Sequence, residues 1–530
     1  MNKSIIAFYS AENFFKQKTV EKQREKFDAL ASDFEAEFGE AATEETFASL
    51  LAYQEEMRRE KRIAEEKRIA KREAVKALEA SKPLAAGMNT AFDCVTRFPA
   101  GKYVLTVAQN NTFVDQIALD SLLNFCKVND AKLLVAKTYY NKNGFAKQDD
   151  DWFDPKIVPF LVEGTIDLDG KAHFAADANI MVTAKNPASG FKGLTPAGVD
   201  VILPASKISL SVAAALKNAP TKRIVSTGAI TKRNYIMRKA GAVAAIEHNI
   251  GACFYDNGEL RNLEVMAGAS GFYDDVYFYA ADGNVENAYV SALQFGDIHC
   301  EKMLDSQARL AYDLVKRFNP EHVILHDVLD FASRNHHNLK DPLFMVDNAS
   351  NLVYDDIATL ASFLGNLEDT ANGKVHIVES NHDLALTRWI KDVDWKTDPI
   401  NAHAYLTYAL ACVENRGNSE FNLLQFAVDK HEKLTNTIFH KTDESVMIAG
   451  IEMGNHGHNG VNGSRGSPTQ FRELGVPMNT GHTHAPSISG ACYTAGVWGS
   501  LEMGYNIGAS SWAYANIVTY PNGQRQIRFY

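Results

Sequence analysis

The last part of the chain, from about residue 290, contains five polar clusters rich in aspartate and histidine, each placed directly after an apolar stretch. A single aspartate or histidine at the end of a strand usually has a structural role, but five such clusters in order indicate a shared site. In an extended chain, residues i and i+2 point to the same side, so a D-x-H or H-x-H pair can bind one cation. The clusters are Gly296-Asp297-Ile298-His299, His326-Asp327-Val328-Leu329-Asp330, Glu379-Ser380-Asn381-His382-Asp383, Gly454-Asn455-His456-Gly457-His458-Asn459-Gly460 and Gly481-His482-Thr483-His484.

Together the clusters offer enough carboxylate, amide and imidazole ligands for two metal ions, with Asp327 placed to bridge them. Two cations about 3.5–4 Å apart lower the pKa of a bridging water and clamp the oxygens of an attacked phosphoryl group. The sequence therefore predicts a dinuclear hydrolytic centre. The six cysteines are scattered, so a cysteine-ligated zinc site is not expected. Mixed oxygen and nitrogen ligands favour Mn²⁺, with Fe, Zn or Mg as alternatives.

The ordered pattern D-x-H, D-x-x-D, N-H-D, H and G-H-x-H resembles that of the calcineurin-like metallophosphoesterases over roughly residues 290–530. The resemblance implies a β-sandwich flanked by helices. It also implies that His382 stabilises or protonates the leaving group, that Asp383 orients His382, and that His456 rather than His458 is a ligand. The implied ligands are Asp297, His299, Asp327 and His484 for one metal and Asp327, Asn381, His456 and His482 for the other.

Two positions depart from the family pattern. His326 stands where G-D-x-x-D has glycine, and Ser380 stands where G-N-H-D has glycine. Neither change removes a ligand, so the effect falls on the local backbone and on the approach of the substrate. His336 and His337, near the second cluster, are candidates for substrate contacts or for surface and packing roles.

Four stretches together resemble a group of large tailed-phage metallophosphoesterases that includes pre-early deoxyribonucleases, which destroy host DNA at infection. The stretches are VAQNNT, VSTGAITKRNY, GNHGHNGVNGSRGSP and GHTHAP. The resemblance implies a deoxyribonuclease with DNA as its partner. Arg465 is then a candidate phosphate contact, because a guanidinium binds phosphate in bidentate geometry, although a loop-stabilising role fits equally. His458 is a second candidate substrate contact.

Two other functions remain open at this stage. A phosphodiesterase or phosphomonoesterase acting on small molecules or nucleotides would use the same metal centre, and a closed cleft would favour it. A non-catalytic protein that binds host factors through the first two regions is the third interpretation, and failure to bind two metals would favour it. The net charge of −11 does not separate these functions, because the charge of a whole chain says little about one groove.

Residues 86–289 are expected to form a Rossmann-like α/β domain, because strand and helix patterns alternate there. KYVLTVAQ, VDQIALDSLLNFCKVNDA and KLLVAKTYY predict strand, helix and strand, and VDVILPAS, SLSVAAALKNAP and KRIVSTGAI repeat that order. There is no G-x-G-x-x-G motif or P-loop. Asn110, Asn111 and the Ser226-Thr227-Gly228 turn follow predicted strands and either bind a ligand or cap the loops.

Residues 1–85 are expected to form a charged helical region, with a helix that begins after Thr43 and runs to about Ala80. It is either a solvated helix with internal ion pairs or an oligomerising helix, through a face with Ile63, Ala70, Ala74 and Leu78. The third alternative is a DNA-contacting arm with the basic residues Arg58, Arg59, Lys61, Arg62, Lys67, Arg68, Lys71 and Arg72. A homo-oligomer is expected.

The composition, with 46% hydrophobic and 22% charged residues, is typical of globular proteins with two or three domains at a length of 530 residues. We find neither a signal-peptide pattern nor an apolar run of about 18 residues. The expected location is cytoplasmic, which for a phage protein is the cytoplasm of the host bacterium, with no membrane partner.

Overall fold

The computed structural model describes residues 3–11, 14–16, 19–59, 63, 94–140, 151–192, 196–216, 219–336, 338–442 and 444–530. It contains two compact units, Met1–Asn89 and Thr90–Tyr530. The boundary expected at residues 85/86 falls outside the described residues. The boundary expected at residues 289/290 lies inside the second unit, where one sheet takes strands from both sides of it.

The first unit is a helical cluster around aromatic side chains. Tyr9, Phe14, Phe27 and Phe34 are its buried centre. The predicted helix start is confirmed, because the Thr43 hydroxyl accepts a hydrogen bond from the backbone N–H of Thr46 at 3.2 Å. The part of that helix expected over residues 64–80 lies outside the described residues. The helices are α1 Lys3–Ala11, α2 Val20–Ala29, α3 Ala31–Phe38 and α4, residues 44–59.

The second unit is mixed α/β. Its helices are α5 Gln116–Asn129, α6 Lys239–Ile246, α7 Asp305–Phe318, α8 Pro342–Asp347, α9 Val353–Thr370, α10 Leu384–Asp392, α11 Ala402–Glu414, α12 Leu423–Val428 and α13 Pro468–Arg472. Its strands are β1 Cys94–Phe98, β2 Lys102–Gln109, β3 Ala131–Thr138, β4 Thr165–Leu168, β5 Ala172–Ala175, β6 Asp200–Leu203, β7 Ser209–Ala213, β8 Lys222–Ser226, β9 Gly251–Asp256, β10 Glu259–Glu264, β11 Gly271–Asp274, β12 Tyr277–Ala280, β13 Val285–Asn287, β14 Ala292–Gln294, β15 His322–His326, β16 Lys374–Val378, β17 Thr437–His440, β18 Met447–Ile448, β19 Ile451–Glu452, β20 Met478–Thr480, β21 Ser487–Ser489, β22 Cys492–Thr494, β23 Ala515–Thr519 and β24 Arg525–Phe529.

Two large sheets build the region that carries the polar clusters. One has the order β17-β16-β15-β14-β23-β24, with β14 to β17 mutually parallel. The other has the order β1-β4-β5-β6-β8-β7-β21-β22-β20-β19-β18, and the pair Leu210–Ile488 joins its two halves through β7 and β21. Two smaller sheets have the orders β10-β9-β2-β3 and β11-β12-β13.

The parallel strands β14, β15 and β16 of the six-stranded sheet are largely buried on both faces, as expected for parallel strands. Along β15, Val323 and Leu325 join a core with residues of α7 and α9, whereas Ile324 packs with Ile448 and Ile451 of the other sheet. Alternate side chains of one strand therefore connect the helical layer to the second sheet. This packing fixes the carboxyl ends of β14, β15 and β16 at one edge.

The first predicted strand–helix–strand unit is confirmed, and the second is wrong. β2, α5 and β3 form the expected parallel unit. SLSVA, expected to be helical, is instead β7, antiparallel to β8. Leu210 and Val212, which are two positions apart in β7, both have buried side chains. Pairing with strands on both sides outweighs the helix propensity of the alanines that follow, because tertiary packing overrides local preference.

Candidate metal centre

Parallel strands bring the first three polar clusters to one edge of the six-stranded sheet. Asp297 and His299 follow β14, Asp327 follows β15, and Asn381 and His382 follow β16. The carboxyl ends of parallel neighbours lie side by side, which is where α/β sheets form their sites. The fourth and fifth clusters arrive from β19 and β20 of the other sheet. The apolar stretch before the fourth cluster forms two short antiparallel strands, β18 and β19.

Four buried side chains form the first group of ligands. Asp297, His299, Asp327 and His484 each place one ligand atom within 4.8 Å of the others. Nε2 of His484 lies 3.1 Å from Oδ2 of Asp297 and 3.1 Å from Nε2 of His299. Nε2 of His299 lies 3.6 Å from Oδ2 of Asp327. The residues that the sequence assigned to one metal are therefore brought together.

Asp327 also belongs to a second group, with His456 and His482. Its Oδ2 lies 3.3 Å from Nε2 of His456. The expectation that Asp327 serves both sets of ligands agrees with this geometry. Asn381, assigned to the same metal, has a buried amide oxygen without a hydrogen-bond donor among the described residues. Its place in the second set stays a prediction.

The donor set fits two divalent cations. Among the described residues, no hydrogen bond reaches Oδ1 of Asp297, Oδ1 of Asp327, Oδ1 of Asn381 or Nδ1 of His456, although all are buried. A buried polar group without a partner costs about 1–3 kcal/mol, and a charged one costs more. Bound cations would satisfy several of these atoms at once.

Backbone conformation also marks this site. Four predicted ligands have positive φ angles: 43° at His299, 45° at Asp327, 70° at His482 and 56° at His484. Residues other than glycine rarely adopt this region, and such strain is concentrated at functional sites. Gly481 lies so close to Asp297 that no side chain fits at this position. A Cβ there would lie 2.2 Å from Oδ1 of Asp297.

Asp330 is the functional residue whose role was missed from the sequence. Its Oδ1 lies 3.1 Å from Nδ1 of His299 and 3.4 Å from Nδ1 of His382. Asp383, expected to orient His382, instead accepts hydrogen bonds from the N–H groups of Leu329 and Ser380 at 3.1 and 3.0 Å. It therefore joins the loops after β15 and β16. The last residue of H-D-V-L-D was the signal available in the sequence.

The carboxylates around His382 favour the protonated form of its ring. Burial lowers its pKa, but the carboxylates of Asp327 and Asp330 outweigh burial and raise the pKa to about 10. Burial, with the neighbouring His456, lowers the pKa of His482 to about 4. A neutral imidazole is the form that binds a metal, whereas an imidazolium donates a proton. The two histidines are thus suited to the different roles predicted for them.

His458 lies beside the second group of ligands but is not part of it. Its ring is 5.4 Å from the ring of His456 and 6.2 Å from that of His482. Burial lowers its pKa to about 4. Arg465 is exposed, in a loop whose backbone pairs Asn459 with Arg465. Both residues stay candidate substrate contacts.

The other residues singled out in the sequence lie elsewhere. Asn110 and Asn111 both donate to Asp151, at 2.6 and 3.1 Å, and their amide oxygens accept from loop backbone. This confirms the loop-capping interpretation for them. Ser226 and Thr227 are buried, and their hydroxyls donate hydrogen bonds to backbone carbonyls of neighbouring segments. His336 is partly buried, and His337 lies outside the described residues.

Two aromatic residues near the site lie outside the five polar clusters that were recognised in the sequence. Trp512 packs its ring 4.1 Å from that of His484, and the ring of Tyr505 lies 6.3 Å from that of His382. Both belong to residues 499–512, which carry no helix or strand. This segment, the aromatic loop, borders both His484 and His382.

No protein-family model matches the chain. The chain is 41% identical over 453 residues to Protein A1 of Escherichia phage T5, which covers 80% of this chain and 81% of that protein. Among the described residues, no helix combines the length and the apolar character that a membrane crossing requires.

Proposed function

Since the chain belongs to the same family as Protein A1 of Escherichia phage T5, we propose that it is a phage-encoded, metal-dependent phosphodiesterase that degrades host DNA. The observation that carries the proposal is Asp327, which is shared by two groups of ligands. One carboxylate serving two cations is the arrangement required for two-metal hydrolysis of phosphate esters. The second unit would be of the calcineurin-like type, with the two packed sheets as its sandwich.

Asp297, His299, Asp327 and His484 would hold one cation, and Asp327, Asn381, His456 and His482 the other. The bound pair would lower the pKa of a water and neutralise charge on the phosphoryl oxygens, with Mn²⁺ the preferred metal. Water loses one proton to solvent as it attacks phosphorus, the P–O bond to the leaving oxygen breaks, and His382 donates the proton that this oxygen requires. Oδ1 of Asp330 lies 3.4 Å from Nδ1 of His382 and would orient the ring for this step.

DNA is the proposed substrate and the host cytoplasm the proposed location, because the relative is a phage protein. A homo-oligomer is part of the proposal. A second candidate, hydrolysis of a nucleotide or another small phosphodiester, is favoured by a cavity of about 610 Å³ that His382 lines. Cavities of about 300–1,000 Å³ commonly enclose small ligands. The non-catalytic interpretation remains only as an outcome of the experiment.

The test is digestion of supercoiled and linear duplex DNA and of a single strand in Mn²⁺, with bis(4-nitrophenyl) phosphate assayed in parallel. The variants are Asp327→Asn and, as a control, Asp369→Asn, a surface carboxylate. We expect the wild type and Asp369→Asn to digest the DNA. Asp327→Asn, or the wild type after chelation, should leave the DNA intact. Hydrolysis of the aryl ester with all DNA intact would support the second candidate. Inactivity on every substrate, with no Mn²⁺ bound, would overturn both.

A further inference from the structure

A cavity beside His382 has no part in the proposed chemistry alone. Its volume is about 610 Å³, within the range of about 300–1,000 Å³ for small-ligand sites. Because His382 is on its wall, the cavity lies next to the proposed leaving oxygen. Its lining residues include Lys302, Asp330, Asp341, Phe344, His382 and Tyr505.

Tyr505 gives this cavity an aromatic wall. Its side chain is 54% exposed, which is unusual for a ring next to a buried site. The ring lies 5.6 Å from that of Trp512, and its hydroxyl donates to Sδ of Met503 at 3.1 Å. The contacts hold the ring in place while much of its surface stays open. Every nucleobase can stack on such a ring, so stacking does not depend on the sequence of the DNA.

Lys302 places a positively charged side chain on the wall of the cavity. The carboxylate of Asp341 accepts hydrogen bonds from the N–H groups of Leu343 and Phe344, and that of Asp330 contacts His299 and His382. Both acids are thus engaged by the protein. Lys302 has no ion pair within the part of the chain that the structure describes. Its ammonium is available to a phosphate.

We propose that this cavity binds one unpaired nucleoside of a DNA strand, on the leaving-group side of the cleaved bond. The base would stack on Tyr505, and the adjoining phosphate would contact Lys302. The inference rests on the proposed function, because it places the leaving nucleoside next to His382. In a duplex the base is stacked and paired, so it must first leave the helix. The enzyme therefore acts on single strands, frayed ends or extruded nucleotides.

The test uses a single-stranded oligonucleotide with one abasic residue, cleaved in Mn²⁺ and resolved base by base. With the wild type, we expect the bond whose leaving oxygen belongs to the abasic residue to be cut about tenfold more slowly than in the intact oligonucleotide. Bonds farther away should be cut equally in both. The duplex of the same sequence should be cut more slowly than the single strand.

Variants identify the residue responsible. Tyr505→Ala should slow cleavage of the intact strand about tenfold and abolish the difference at the abasic residue, whereas Tyr505→Phe should behave as the wild type. Tyr289→Ala is the control, because Tyr289 is also 54% exposed. The inference fails if the wild type ignores the missing base or if Tyr505→Ala keeps the wild-type pattern. Cleavage of the duplex with none of the single strand would also overturn the inference, whereas a wild type that cleaves neither would overturn the nuclease proposal itself.

Discussion

Oδ1 of Asp330 lies 3.1 Å from Nδ1 of His299, and the same oxygen is 3.4 Å from Nδ1 of His382. One carboxylate therefore contacts both a predicted metal ligand and the predicted proton donor. The two rings pack edge to face, with centroids 4.8 Å apart. A carboxylate on the second nitrogen of a ligating histidine fixes its orientation and raises its basicity. Asp330 thus connects metal binding with proton donation.

Asp330→Asn should weaken Mn²⁺ binding and reduce kcat together, each by about 10–100-fold, because the side chain loses its charge but keeps its size. Calorimetric titration of Mn²⁺ and the steady-state rate on bis(4-nitrophenyl) phosphate would measure the two effects. Asp383→Asn is the comparison, because its carboxylate contacts backbone N–H groups of two loops and neither ring. Its main effect should be a lower melting temperature. Unchanged kcat in Asp330→Asn would contradict the role assigned to that residue.

Substitutions at Asp327 and His382 should differ in their effects on metal binding and turnover. Asp327→Ala removes the carboxylate shared by both groups and should abolish metal binding and activity together. His382→Ala should retain Mn²⁺ and lose about 10²–10⁴-fold in kcat, the usual contribution of a general acid. Metal content after dialysis and single-turnover rates would show this. A His382→Ala rate close to that of the wild type would remove His382 from the mechanism.

The sequence predicted which side chains come together better than it predicted the architecture around them. Asp297, His299 and His484 could be recognised from i,i+2 spacing after apolar stretches, because that pattern is local. The carboxylate that contacts His382 could not be recognised in the same way. Asp330 and Asp383 are equally plausible in the sequence, and only tertiary packing determines which of them contacts the ring. Likewise, the pairing of Leu210 with Ile488 joins segments far apart in the chain. No local pattern indicates that pairing, or the position of Tyr505 beside His382.

Gly481→Ala should impair the metal site without a change of charge. An added Cβ would lie 2.2 Å from Oδ1 of Asp297, so the carboxylate or the loop must move. We expect Mn²⁺ affinity to fall at least about tenfold, since displacement of a ligand costs at least as much as loss of its hydrogen-bond partner. Gly101→Ala is the matched control, because its nearest neighbour would be 3.4 Å away. Equal Mn²⁺ affinities in the two variants would show that the loop yields without cost.

A row of three histidines across β15, β16 and β17 should make stability depend on pH. Nδ1 of His322 lies 2.9 Å from Nε2 of His376, and Nδ1 of His376 lies 2.9 Å from Nε2 of His440. Burial, with His440 and His322 beside it, lowers the pKa of His376 from 6.5 to about 4. Between pH 6.5 and about 4 the unfolded chain binds a proton there that the folded chain does not. Stability therefore falls as the pH falls through this window, by about 3 kcal/mol in total.

His376→Gln removes this titration and isolates its effect. At pH 7.5 the variant should be about 1–2 kcal/mol less stable than the wild type, because hydrogen bonds to both neighbouring rings are altered. At pH 5 the wild type has already lost about 2 kcal/mol to protonation, so the difference should vanish or reverse. Urea unfolding in a chelator would measure this without a contribution from bound metal. His403→Gln, on the exposed side of α11, should follow the wild-type pH dependence. Parallel pH curves for the wild type and His376→Gln would mean that the row accepts a proton without cost, which its burial argues against.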